Sequence, residues 1–298
     1  MGTNKASTGL RLAETDTETK LYPDLIRRAS GQRRAFLYES MVATVGNRIG
    51  REELGVHFTH MPARYWTRVD EETLRGHLEL IHVFLKRLRG SNDDSTRPVV
   101  RWRHRPDRGV TTVEICTWDR LGLLARVAGA FAAVGLNIVR ADIFTRADNV
   151  VLDIFEVCNA DQGPVLDESR LDKMVRLLAM ALRPSVGDQP PAEPFTFVPS
   201  AGSRRRTPSA PSFVAFAPGA TEAHTVLIVE TYDEVGLLYR IFSALAAMNV
   251  NCVHAIISTE GNRVGDVFFL ADADGCKITE TERLEPIRQR VLQSISER

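Results

Sequence analysis

The stretch Val113-Glu-Ile-Cys-Thr-Trp-Asp119-Arg-Leu-Gly122-Leu-Leu124 returns 114 residues later as Leu227-Ile-Val-Glu-Thr-Tyr-Asp233-Glu-Val-Gly236-Leu-Leu238. Thr117 meets Thr231, Asp119 meets Asp233 and Gly122 meets Gly236. The match continues through Arg126 and Arg240, Asn137 and Asn251, Ala141 and Ala255, and Thr145 and Thr259. One residue is then lost, so that Asp153 and Phe155 meet Asp266 and Phe268. A duplicated supersecondary unit tolerates such a loss at a turn, where neither ladder register nor core packing depends on length.

Both copies read in the same order. Residues 113–117 alternate as a strand with one apolar face. The Asp119–Gly122 turn then enters a helix whose Leu123, Leu124, Val127, Phe131 and Val134 share a face. Gly135 and Asn249 stand where that helix needs a left-handed cap. Strands over 138–145 and 150–157 follow, joined by a short Ala-Asp-Asn turn, and a last helix spans about 168–182 or 282–295. Strand–helix–strand–strand–helix is the ferredoxin-like order, with helices on one face of an antiparallel sheet.

These residues carry a family resemblance. Asp-x-x-Gly-Leu-Leu, then Asn137-Ile or Asn251-Cys, Ala-x-Ile-x-Thr and Asp-x-Phe together resemble ACT domains. More narrowly, they resemble the paired ACT domains ending bacterial PII uridylyltransferases. In the second copy, Asp233-Glu-Val-Gly-Leu-Leu-Tyr-Arg, Arg263-Val-Gly-Asp-Val-Phe-Phe and Gly275-Cys-Lys-Ile-Thr all fit. His60-Met-Pro-Ala-Arg-Tyr65 and His77-Leu-Glu-Leu resemble the segment just before ACT, so the likeness covers about 57–298. It implies an α+β fold of two ferredoxin-like (βαββαβ) ACT domains behind an N-terminal helical segment. Residues 213–216 would be the last strand of the first domain. The expected layout is a tail over 1–20, a helical segment over 21–97, a first ACT domain over 98–217 with a Pro-rich insertion at 184–211, and a second over 224–298.

The resemblance also implies a function. The family's transferase carries a Gly-Ser motif followed by paired metal-binding aspartates, and its hydrolase domain carries a His-Asp pair. Neither occurs here, and residues 1–56 are too few for either domain. The expectation is a non-catalytic regulator of nitrogen or amino-acid metabolism that needs no cofactor. It would bind a small amino acid, with glutamine the leading candidate. The alternatives are a ligand-free protein–protein interaction module, docking with a partner or as a homodimer through its ACT sheets, or the regulatory subunit of a separately encoded nucleotidyltransferase.

Candidate ligand-binding residues are Asp119, Arg120, Gly122, Leu123 and Asn137, with Asp233, Gly236, Leu237 and Asn251 as counterparts. A glycine opening a helix leaves backbone N–H groups free for a carboxylate, favoured by the helix dipole. Asp receives an α-ammonium, and Asn adds a donor and an acceptor. The expected grouping joins each turn to the Asn of its own copy. The competing reading is that Asp simply caps the helix while Gly packs closely. Glu234 in place of Arg120 predicts two unequal sites.

Composition narrows the rest. Among 298 residues, 38 Lys and Arg balance 38 Asp and Glu, so no net field steers the chain toward nucleic acid, and none is expected as a partner. No run approaches the ~18 apolar residues of a membrane span. Residues 1–20 are polar and lack an apolar secretion core. Cys116, Cys158, Cys252 and Cys276 show no CxxC pairing, so a cytoplasmic chain with reduced thiols is expected. Helical spacing predicts a helix from about 22 to 49 and a second over 70–88, capped by Asp70, before a polar loop at 90–94. Seven prolines between 184 and 211 favour an extended linker, with short edge strands at 195–198 and 213–216. His57, His60, His77 and His82 lack a ligand set and read as packing or solvated residues. Asp272-Ala-Asp-Gly275 reads as a turn, and the basic cluster Arg101-Trp-Arg-His-Arg105 as a lead-in to the first ACT strand.

Overall fold

A computed structural model describes residues 23–88, 97–159, 162–183, 211–260 and 263–296. The expected tail over 1–20, the loop at 90–94, the linker over 184–210 and the strand at 195–198 lie outside the described residues. Two compact units are distinguished, Met1–Leu78 and Glu79–Arg298.

The first unit is helical, with α1 (Pro23–Val45), α2 (Arg51–His60) and a short α3 (Ala63–Trp66) before α4 (Glu71–Leu88) begins. Asp70 caps α4 as its position predicts, its Oδ1 accepting from the Thr73 amide at 2.8 Å. His57 is enclosed by the rings of Phe58, Tyr65 and Trp66. His77 Nδ1 shares a 2.9 Å hydrogen bond with the Tyr65 hydroxyl. Both histidines are thus packing residues, as expected. No helix was expected between about 49 and 70, and α2 fills part of that stretch with sparse apolar spacing: only Leu54, His57 and Phe58 are buried.

The second unit holds the repeat. Its first sheet contains β1 (Val99–Arg105), β2 (Val110–Trp118), β3 (Asn137–Thr145) and β4 (Val150–Cys158), in the order β1-β2-β4-β3. Helices α5 (Leu123–Ala133) and α6 (Glu168–Ala181) complete the first domain. The second sheet contains β5 (Phe213–Phe216), β6 (Thr225–Tyr232), β7 (Val250–Ile256), the short β8 (Thr259–Glu260) and β9 (Arg263–Asp272), in the order β5-β6-β9-β7 with β8 against β9. Helices α7 (Leu237–Ala247) and α8 (Thr281–Ser296) belong with it. Every strand pair is antiparallel.

The fold is two ferredoxin-like domains, with one correction. Residues 213–216 were expected to complete the first domain, but β5 pairs with β6 of the second sheet, Val214 opposite Val229. The position beside β2 is taken by β1, joined to it through Pro106–Arg108 and Gly109, which has φ 68°. A hairpin closes at little entropic cost, whereas a strand returning across 184–210 would close a long loop. In each domain, therefore, the strand before the repeat fills the edge that the last strand of βαββαβ would occupy. The basic cluster at 101–105 is that edge strand, and Arg101 Nε donates to Glu114 at 2.8 Å across the pair.

Local chemistry repeats with the sequence. Gly135 and Asn249 adopt φ of 70° and 54° and end α5 and α7, as predicted. Arg146 is buried in the β3–β4 turn and clamps Asp148 with two bonds, at 2.9 and 2.7 Å. Asp272 accepts from the amides of Asp274 and Cys276, which makes the acidic stretch a turn as read. Thr111 Oγ1 receives the Val165 amide at 3.0 Å, and Thr225 Oγ1 receives that of Ile278 at 2.9 Å. Both β3 and β7 carry a register shift, between Ile138 and Arg140 and between Cys252 and His254.

The two domains share one hydrophobic core, in which α5 packs on α7 and β3 lies beside β7. Phe131 on α5 packs against Phe155 and Phe242 on α7 against Phe268, although in the repeat Phe131 corresponds to Leu245 and Phe242 to Ala128. Removing a fully buried ring such as Phe131 costs about 3–5 kcal/mol in comparable cores. That shared core fixes how the two repeat copies meet, and so where their turns lie.

Candidate functional site

Each Asp turn starts at the end of a strand and opens a helix. The Asp119 amide donates to the Asn149 carbonyl at 2.8 Å, which ties the turn to the neighbouring hairpin. Gly122 takes φ 74° and Gly236 φ 88°, in the left-handed region where a Cβ is disfavoured. Neither helix has a side-chain cap bond. The capping role for Asp119 and Asp233 is therefore not the one adopted. The Leu123 and Leu237 amides donate back to the Arg120 and Glu234 carbonyls at 3.1 Å, and the next two amides of α5 and of α7 are left without intrahelical acceptors at the positive end of the helix dipole.

The expected grouping is exchanged between the copies. One crevice gathers Asp119, Arg120, Gly122 and Leu123 with Asn251, Cys252 and Val253, against Phe242, Leu245 and Ala246 of α7. The other gathers Asp233, Gly236 and Leu237 with Asn137 and Ile138, against Ala128 of α5. Each turn thus meets the Asn of the opposite domain, because packing α5 on α7 and β3 beside β7 brings the start of one β3-type strand to the helix entry of its partner. All nine candidate residues line a crevice, but not in the pairs drawn from the sequence.

The crevices are also unequal. The Asp119 crevice has a volume of about 60 Å³ and the Asp233 crevice about 10 Å³. In the smaller one, Asn137 Nδ2 donates to Asp233 Oδ2 at 2.7 Å and joins the two domains. Among the described residues, no such bond joins Asn251 to Asp119. Gly122 also approaches the opposite domain closely, since a Cβ there would meet Ala246 Cβ at 3.5 Å.

The electrostatics differ in the same sense. Burial raises the Asp119 carboxyl above its ordinary pKa, against the Arg120 amide and the Arg120 charge, which lower it. Burial, and then the neighbouring Arg126 charge, lower the pKa of Arg120. Arg120 Nη1 donates to the Leu182 carbonyl at 2.8 Å and Arg126 Nη1 to Ala181 at 2.6 Å, so both complement the C-terminal end of α6. Asp233 is raised by burial, opposed mainly by its bond from Asn137 and reinforced by Glu234. Glu234 is itself ion-paired with Arg240.

Two carboxyls missed by the sequence reading complete the crevices. Asp153 on β4 lines the larger and Asp266 on β9 the smaller, and both are fully buried. Burial, with some help from the Asp233 charge, pushes Asp266 up to about 7, although its Oδ1 accepts from the Ser258 amide at 3.1 Å. The signal was present: an Asp repeated at corresponding positions within apolar strands, read only as part of a family pattern.

An ACT domain model matches residues 111–169, and a model described as the ACR family N-terminal ACT domain matches residues 220–297. The chain is 34% identical over 235 residues to a bifunctional uridylyltransferase/uridylyl-removing enzyme of Azospirillum brasilense, covering 78% of this chain and 24% of that protein. Proteins of the same description from Gluconobacter oxydans and Rhodospirillum rubrum are 31% and 30% identical, covering 78% and 80% of this chain and 24% of each relative. The chain thus spans about a quarter of the length of these curated relatives. No helix among the described residues is long and apolar enough to cross a membrane.

Proposed function

Starting from a chain that carries two ACT domains, we propose that it is a non-catalytic regulatory sensor that binds a small amino acid where its two domains meet. The observation that carries this reading is the Asp119 crevice. It holds a left-handed glycine at a helix entry, an arginine, a carboxylate, and an amide supplied by the other domain. An amino-acid carboxylate suits the Leu124 and Ala125 amides at the start of α5 and the Arg120 guanidinium, while its ammonium suits Asp119. Asn251 then reads the remainder of the ligand from the opposite domain, so that binding tightens domain docking.

Glutamine is the leading ligand. The relatives are named for uridylyl transfer and removal, and a side-chain amide matches the donor and acceptor of Asn251. The sequence lacks the Gly-Ser and paired-aspartate motif and the His-Asp pair expected of those two activities. A role in nitrogen or amino-acid metabolism through a partner protein follows from the same likeness. A calorimetric screen of the common amino acids against the full chain tests the reading. Saturable binding of one of them, lost in Asp119→Ala, is the expected result; no binding by any of them would favour an interaction module instead.

A further inference from the structure

The smaller crevice has a charge problem that the larger one does not share. Asp233 and Asp266 both line it, and no Lys or Arg does. Asp233 already has the Asn137 amide on Oδ2, and Asp266 has the Ser258 amide on Oδ1. Among the described residues, Asp266 Oδ2, on a fully buried side chain, has no hydrogen-bond partner. A buried carboxylate oxygen without a donor is costly, and neighbouring carboxyls raise that cost. Glu234 sits beside Asp233 in sequence where the other turn has Arg120, and the nearby Arg240 is taken by Glu234. The approach to this crevice therefore disfavours a carboxylate.

The space fits one kind of occupant. About 10 Å³ accommodates one water-sized group. We propose that the Asp233–Asp266 crevice binds a protonated amine, with an –NH3⁺ or NH4⁺ group donating to Asp266 Oδ2 and to the Asp233 carboxylate. Such a cation supplies the missing donor, neutralises the paired carboxyls and bridges β9 to the Asn137–Asp233 contact that joins the domains. Free ammonium fits without change. The ammonium of an organic amine fits once the crevice widens enough for its first carbon. The proposal stands apart from amino-acid binding in the Asp119 crevice, which shares none of these side chains, and each can fail without the other.

Thermal unfolding of the full chain near pH 8 tests it, with ammonium, methylammonium, potassium and sodium chlorides compared at equal ionic strength. Ammonium should raise the midpoint saturably, while sodium and potassium should not. In Asp266→Asn, which loses one charge-assisted bond, the apparent affinity should fall about tenfold or more. Asp142→Asn, which removes a carboxylate of β3 outside both crevices, should respond like the parent. A methylammonium response as strong as that of ammonium would identify an organic amine as the occupant, and ammonium alone would identify the free ion. Should Asp266→Asn fail to fold, Asp233→Asn carries the same test. Equal responses to potassium and ammonium, an unchanged response in the variant, or no saturable response in the parent chain would overturn the proposal.

Discussion

Replacing Asp266 with Asn should change how stability depends on pH. The side chain is fully buried on β9 and its pKa is pushed from the ordinary 3.8 to about 7, chiefly by burial. Below about pH 4 the folded and unfolded chains both hold this proton, and the carboxyl contributes no difference. Between about pH 4 and 7 the folded chain keeps a proton that the unfolded chain has released, so stability falls as pH rises through that window. Above about 7 both states are ionised and the dependence ends. One pKa unit corresponds to about 1.4 kcal/mol, so the full loss is at most on the order of 4 kcal/mol. Asn is a neutral replacement for the protonated acid, and its Oδ1 keeps the Ser258 amide. Urea unfolding across this range in amine-free buffers should show the variant close to the parent near pH 4.5 and more stable by a few kcal/mol near pH 8. Parallel profiles for the two proteins would refute the burial argument for Asp266.

Other perturbations test separate parts of the account. Gly122→Val forces a branched residue to φ 74° and sets its Cβ at 3.5 Å from Ala246 of α7. The left-handed backbone should make it cost about 1–2 kcal/mol of stability, read by urea unfolding, and it should also weaken amino-acid binding; an unchanged midpoint would contradict the left-handed geometry at Gly122. Asn137→Ala removes the 2.7 Å bond that joins the domains at Asp233 and leaves a half-buried carboxylate short of a donor, a loss of about 1 kcal/mol. It should leave amino-acid affinity at the Asp119 crevice within about twofold, whereas the grouping within one copy expects a large loss. Purified chain with Mg²⁺ or Mn²⁺ and UTP should neither uridylylate a PII protein nor remove the modification; turnover above a blank would reject the non-catalytic reading.

Much of this fold is legible because the repeat compares the chain with itself. The Asp-x-x-Gly-Leu-Leu turn, the caps at Gly135 and Asn249, and the shared Thr, Asn and Asp positions each mark a boundary in both copies. The strand exchange was not legible. Residues 213–216 carry an alternation that suits either sheet, and only the hairpin geometry of 99–118 decides which edge is already filled. Similarly, nothing local in Asn137 states that it faces Asp233 rather than Asp119. That pairing is a property of how α5 and α7 dock, which depends on the shape of two assembled faces. Asp153 and Asp266 were passed over because a charged residue in an apolar strand gains its meaning only from burial.

The central claim is that an amino acid binds between the two domains, held by the turn of one and the amide of the other. Calorimetric titration of glutamine into the full chain, into Asp119→Ala, into Asn251→Ala and into the double variant tests it most directly. Each single change should weaken binding about ten- to a hundredfold, as expected for loss of a charge-assisted or buried hydrogen bond. Because both side chains hold one ligand, the double variant should lose less than the two single losses combined, a coupling of about 0.5 kcal/mol or more. Folded variants that bind glutamine, or any other amino acid the parent takes up, as tightly as the parent would place the ligand elsewhere and contradict the account.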